Sequence, residues 1–417
     1  MPGRLDDVPM FNSNSPEWVK VPGILLSTFP PQGKTVPTAH LNYAFNGPFT
    51  LFTHHFSLNP KDLRTLYLGI LVRNPGRSPV TLSIPAVASY LLNPDAPFAN
   101  KPQMLENPTG AIHSGPGIRA VDTVLRGQRQ PDFPAAVSIP AGGDRLLLNH
   151  PIPVKGLDRN LNGRSTFIRL SSSGPVYVAD LAMYAPKTQE GKERSPTLAE
   201  WQTLLKTSGL AGPRDKTPTP PGRPGNLIYG RVAGVQKGSA WKATLADPGQ
   251  AVLKLPSPGQ TIAYPISTLR SGRFGTGQSQ AAPLLVRYPD TAYEAHGNYC
   301  VHYDLALPLR NGTDTPQTVA LTLTTPVKAD RLAPQGLRFL ASPTFPFFRG
   351  TVRLRYSSAE GRSITRYFHL WHRTGEQVKP LLTLNLNPKS TQTVKLDFLY
   401  PPDSTPPQVL KISTLSR

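Results

Sequence analysis

At 417 residues, with 45 Lys and Arg against 25 Asp and Glu, the chain carries a formal charge of +20 and is long enough to bury the cores of two domains. Its 48 prolines and 34 glycines exclude a helical bundle, because proline fits neither helix interiors nor central strands. The single cysteine, Cys300, excludes an intrachain disulfide and a cysteine-rich zinc site, and no apolar run of about 18 residues exists to span a membrane as a helix.

Residues 1–40 are rich in Pro, Asn and Ser, with one apolar run from Gly23 to Phe29, and read as an extended arm lying against the body. Leu41 to Phe56 reads as two strands around an Asn-Gly-Pro turn. From Leu66, apolar residues alternate through Leu68, Ile70 and Val72. Arg73-Asn74-Pro75-Gly76 follows, and alternation resumes at Val80, Leu82 and Ile84. A period of two on both sides of a Gly-containing turn predicts a β-hairpin. Residues 93–135 show little periodicity and read as a long loop. Strand patterns return at Arg145 to His150 and Ser165 to Tyr184.

Residues 187–226 break the pattern. Thr197 and Glu200 form a capping box ahead of the apolar stripe Leu198, Trp201, Leu204 and Leu205, which predicts a short docking helix stopped at Gly209. The stretch Thr217 to Gly225 is the most linker-like in the chain. Strands resume from Leu227. The Gly-rich piece Ser271 to Gln278 has no helix directly after it, so it reads as a loop rather than a phosphate cradle.

Val301, Tyr303, Leu305, Leu307 and Leu309 alternate before Arg310-Asn311-Gly312, and Val319, Leu321 and Leu323 alternate after it. This second hairpin copies the first, Arg-Asn turn included, and suggests a duplicated β-domain. A weaker echo matches Phe167–Tyr184 with Tyr367–Leu386. The expected fold is mainly β, with antiparallel, sandwich-like domains of immunoglobulin-like or jelly-roll character and one short helix near the linker. The expected order is an arm over 1–40, a sandwich over 41–186, a linker with its helix over 187–226 and a second sandwich over 227–417.

The positive charge is scattered singly, with no basic run interleaved with aromatics. It fits attraction to an anionic polysaccharide or another envelope component rather than a specific nucleic-acid groove. No His-Glu-x-x-His, Gly-x-Ser-x-Gly or P-loop occurs, so no catalytic residue, metal or cofactor is expected. The candidate binding residues sit just before the long central strands, where a rigid scaffold holds variable loops. They are His54, His55, His296, Asn298, Tyr299 and His302. On a strand His54 and His55 face oppositely. If the duplication is real, Thr53-His54-His55 and His296-Gly297-Asn298-Tyr299 occupy the same relative place. Tyr229, Trp241, Tyr264, Tyr288, Tyr293 and Trp371 are candidates for stacking on sugars. Cys300 reads as a packed strand residue rather than a nucleophile.

Several segments together resemble a known family. They are Leu5–Glu17, Gly23–Pro31, Phe52–His55, Asn162–Thr166, Gly174–Ala179, Gly297–Tyr299, Phe348–Val352 and Tyr400–Gln408. They are similar to the DUF3370 proteins, a cyanobacterial family of unknown function, and the likeness spans nearly the whole chain. The resemblance implies an exported protein whose signal has been removed ahead of Met1, working in the periplasm, at the cell surface or beyond it. It also implies Gly where this chain has Cys300, and it supplies no activity. The expected function is a non-catalytic envelope or matrix protein binding anionic glycan. The alternative is a polysaccharide-active hydrolase or lyase, which requires two carboxylates, or a Tyr-His-Arg set, converging in a pocket.

Overall fold

The computed structural model describes residues 1–223, 226–358 and 360–416; the end of the linker-like stretch, Pro224-Gly225, lies outside them. The protein is mainly β, with helix making up 7%. Two sandwiches carry it. In the first, a sheet containing Phe45–Leu58, Val80–Leu91 and the front half of Leu161–Tyr184 faces a sheet of Gly23–Ser27, Leu66–Arg73, Asp144–Ile152 and the back half of Leu161–Tyr184. The 24-residue strand Leu161–Tyr184 shifts register near Ser172 and so belongs to both sheets. In the second, a sheet built on His302–Arg310, Thr391–Leu399, Pro346–Ser357 and Ser363–Arg373 faces the four strands Thr261–Ile266, Gln408–Thr414, Gln317–Thr324 and Leu382–Leu386. Each pair of sheets encloses its own apolar core.

Neither expected hairpin is a hairpin. Leu66–Arg73 pairs with Asp144–Ile152 and Leu161–Tyr184, and Val80–Leu91 pairs in the opposite sheet. His302–Arg310 and Gln317–Thr324 are likewise divided between facing sheets. Each is an arch across a core. The reason lies in the turns: neither Gly76 nor Gly312 takes the left-handed φ that an Asn-Gly hairpin requires. The preceding asparagine holds the arch instead. Asn74 is fully buried, its Nδ2 donates to Ser78 O, Ile139 O and Pro140 O, and its Oδ1 accepts from Gly76 N. Asn311 repeats this with Thr315 O, Leu386 O, Asn387 O and Thr313 N.

The likeness between the two halves extends beyond the arches. Leu66–Arg73, Val80–Leu91, Ala136–Ile139 and Asp144–Ile152 correspond in pairing to His302–Arg310, Gln317–Thr324, Leu382–Leu386 and Thr391–Leu399. The weaker echo does not survive. The counterpart of Leu161–Tyr184 is Gln408–Thr414, which pairs with the second arch's outgoing strand, not the region around Tyr367.

Two α-helices occur among the described residues. The first, α1 (Pro116–Leu125), lies in the stretch read as a long loop. Proline at its first turn is compatible with a helix, and Ile118, Val121, Val124 and Leu125 are buried. It wedges between the sandwiches within an apolar cluster that includes Phe52 and Phe167 from the first and Leu399 from the second. The second, α2 (Leu198–Thr207), has the expected capping box. It docks Trp201 on the first sandwich, where Trp201 Nε1 donates to Asn149 Oδ1 at 3.1 Å.

Pairing crosses the expected domain divisions. Residues 1–40 are extended but integral. Arg4–Leu5 pairs with Ala240–Thr244 beside the second core, and Gly23–Ser27 pairs with Leu161–Tyr184 in the first sandwich. Met10–Ser13 lies between Phe45–Leu58, to which it is parallel, and Ala233–Gln236. Ala282–Arg287 and Glu294–Ala295 then extend the same sheet. Segments from both sides of the linker thus share one sheet. Among the described residues no helix is long and apolar enough to cross a membrane.

Candidate functional site

Where these strands meet, a polar pocket of about 300 Å³ opens between the sandwiches. Along Phe45–Leu58, Phe49 and Leu51 belong to the first core, whereas Phe52 belongs to the cluster between the sandwiches. Strand alternation puts His54 on the side of Phe52. It lies against the rings of Phe52 and Phe56, with centroids 6.0 and 5.0 Å away. His54 Nδ1 is 2.6 Å from Ser165 Oγ, and Nε2 faces Asp403 Oδ1 at 3.5 Å. Burial alone would push the imidazolium pKa down. The Asp403 carboxylate outweighs that and raises it above the ordinary histidine value. Burial conversely would raise Asp403, and His54 with Arg349 holds it below the ordinary carboxylate range.

The N-terminal strand Met10–Ser13 continues into Asn14 and Glu17, which line the same pocket. Glu17 Oε2 accepts from Arg231 Nη2 at 2.5 Å, and Arg231 Nη1 donates to Asp215 Oδ1 at 2.7 Å. Asn14 is buried and its Oδ1 has no hydrogen-bond partner among the described residues. Asp403 Oδ2 is in the same position. Both oxygens are buried behind the pocket lining, and such unpartnered groups are rare in folded proteins.

The turn 296–300 closes the pocket. Asn298 and Cys300 both take positive φ, 47° and 65°. Asn298 is fully used as scaffold: Nδ2 donates to Ser267 Oγ, Gln280 O and Tyr303 OH, and Oδ1 accepts from Ala282 N. Holding this turn leaves Tyr299 and His296 on the pocket wall. Burial, then Asp403 and Glu17, push the Tyr299 phenol up. His296 is half-buried, stacks on Tyr229 with centroids 4.8 Å apart, and is pushed down to about 4 chiefly by burial.

Of the residues expected from sequence, His54, His296, Asn298 and Tyr299 line one pocket. They do so from unlike places in the two halves. His54 lies within a strand, whereas 296–299 form a turn ahead of His302–Arg310. His55 points into the first sandwich. It is fully buried and bonded to Pro16 O, Ser13 Oγ and Asp180 Oδ2. His302 sits elsewhere, 2.9 Å from Asp397 Oδ2. Cys300 lies in the turn rather than in the strand, fully buried, with burial pushing its thiol well up. Trp241, Tyr264, Tyr288 and Trp371 are core; Tyr229 and Tyr293 reach a small cavity beside His296.

Asn14, Glu17, Arg231 and Asp403 were not singled out by residue type. Yet Asn14, Glu17 and Asp403 lie inside stretches that carry the family resemblance, as do His54 and Tyr299. Among the described residues no group of three or more His, Cys, Asp or Glu is arranged to hold a metal. The pocket can exchange hydrogen bonds with a polyhydroxylated molecule, since Glu17 and Asp403 accept, Arg231 donates, and His296 and Tyr299 stand on its wall.

No functionally curated protein matches the chain. Among solved structures, Lac15 from a marine microbial metagenome is 11% identical, with 89% of this chain and 53% of Lac15 covered and a TM-score of 0.13. This chain thus spans about half the length of Lac15. The coconut allergen cocosin is 9% identical over 90% of this chain and 84% of its own, with a TM-score of 0.11. Procruciferin, an 11S globulin from Brassica napus, is 10% identical over 95% and 86%, with a TM-score of 0.11. Likenesses this weak carry no argument about fold or function. The model of the family DUF3370, proteins of unknown function, matches residues 1–414, and the chain belongs to that family.

Proposed function

We propose that the protein is a non-catalytic, extracytoplasmic component of the cell envelope or extracellular matrix that binds anionic glycan. The reading is carried by the pocket of about 300 Å³ between the sandwiches, lined by Glu17, Asp403, Arg231, His54, His296 and Tyr299. A saccharide hydroxyl is both donor and acceptor, which suits a mixed lining of this kind. The surplus of positive charge supports attraction of the polymer that carries the saccharide. Export is supported by the family resemblance. The test is a pull-down with purified envelope polysaccharide at low and raised salt, comparing Asn14→Ala and Tyr299→Phe. The expected result is salt-sensitive binding that falls about tenfold, some 1.4 kcal/mol, in either variant. Binding that is absent, or indifferent to salt and to both variants, overturns it.

A second reading, a polysaccharide-active hydrolase or lyase, is favoured by the convergence of Glu17 and Asp403 with Tyr299, His54 and Arg231 in that pocket. It requires release of reducing ends or unsaturated products from the bound polymer, lost in Tyr299→Phe. Binding without product formation leaves the first reading standing.

A further inference from the structure

Met10–Ser13 has the polar pocket at its outgoing end, through Asn12 and Asn14. Before its incoming end, at Asp6 and Val8, lies a second cleft of about 360 Å³ between the sandwiches. One wall comes from the strand Leu161–Tyr184. Phe167 meets Leu399 of the second sandwich in the apolar cluster, and Arg169, two residues on, points the same way. Its register partner is Thr50. Thr50 is 7% exposed, and its Oγ1 has no hydrogen-bond partner among the described residues. The opposite wall supplies Lys242, which is exposed, and His302.

The cations in this cleft outnumber the available anions. Asp397, behind His302, is already engaged. It accepts from Arg353 at 3.0 and 2.6 Å, from Arg355 at 3.2 Å and from His302 at 2.9 Å. Burial would raise its pKa, but these partners hold it down to about 2. Asp6, the one carboxylate on the cleft lining, accepts the Ser239 and Ala240 amides on Oδ1. Asp304 stands beside Lys242 in the sheet but does not line the cleft. The Arg169 guanidinium has no hydrogen bond or ion pair among the described residues; burial, then Arg353, lowers its pKa, and Asp397 only partly opposes this. A half-buried guanidinium with no acceptor among the described residues is free to pair with an anion entering the cleft.

We propose that this cleft is an oxyanion site in which Arg169 and Lys242 take a carboxylate or sulfate group. The oxyanion chemistry stands apart from the proposed function. That the oxyanion belongs to an acidic sugar rests on it.

The test is calorimetric titration of the full chain at low salt with two probes, inorganic sulfate and a galacturonate oligosaccharide. Arg169→Gln is compared with Arg159→Gln, which removes one charge where the side chain is 82% exposed. Arg169→Lys and thermal melts control for folding. Arg169→Gln is expected to weaken both probes by about tenfold or more, and Arg159→Gln by less than about twofold. Equal losses in the two glutamine variants mean diffuse attraction only and overturn the site, as does the absence of binding by either probe. Sulfate binding that depends on Arg169, with the oligosaccharide no tighter than sulfate, keeps the oxyanion site and removes the acidic sugar.

Discussion

His54 is enclosed by Phe52, Phe56 and Ser165, and its remaining nitrogen meets Asp403. Because its folded pKa is raised, it contributes stability that is fully present below the unfolded value, about 6.5, and lost as pH rises through the folded one. Asp403, with a depressed folded pKa, contributes stability present above its unfolded value, about 3.9, and lost as pH falls through the folded one. The pair is therefore worth most between roughly pH 4 and 6.5. Asp403→Asn is expected to cost about 1.5–3 kcal/mol at pH 6 and to flatten the decline in melting temperature that the native protein shows on raising pH above that range. A melting curve series across pH checks both. At this scale the sequence pointed to one side of the pocket. The adjacent histidines and the Gly-Asn-Tyr turn have recognisable chemistry, whereas Glu17 and Asp403 are two acids among 25. Only the meeting, at one pocket, of the segment after Met10–Ser13 with the segment after Thr391–Leu399 brings them together, and no local pattern encodes that meeting.

The arches and the two helices show which elements can be read locally. Alternation located the arch strands correctly, because period two follows from one buried face. It did not reveal their partners, since a strand facing its neighbour across a core has the same pattern as one beside it. The shared Arg-Asn pair was the informative residue signal, and its asparagine is the arch's buried anchor. Asn74→Ala and Asn311→Ala are each expected to destabilise by about 1–3 kcal/mol, because buried carbonyls lose their donor. Urea unfolding should give similar losses for the two, since each asparagine donates to three carbonyls. Helix α2 was legible from its capping box. Helix α1 was hidden by the prolines and glycines around it, although Ile118, Val121 and Leu125 carry helical spacing. Its buried face is shared between sandwiches, so Val121→Asp is expected to lower the melting temperature and expose the interface to dye binding.

Across the whole molecule, the strands that flank the linker hold the halves together. Cleavage within residues 214–223 is expected to leave both pieces co-eluting on size exclusion until denaturant is added, because Met10–Ser13 remains paired to Ala233–Gln236. Separation into two folded fragments would show that this seam contributes little. The place of Met10–Ser13 also sets an order of events during synthesis. The strand has one side covered once Phe45–Leu58 has emerged from the ribosome, yet its other neighbour is made more than 200 residues later. Until then the nascent chain presents an open strand edge able to pair with a stranger. Elongation must outpace aggregation, or a chaperone must shield that edge. A chain stopped at residue 226 keeps the edge bare permanently, and it is expected to be recovered as multimers where the complete chain is not.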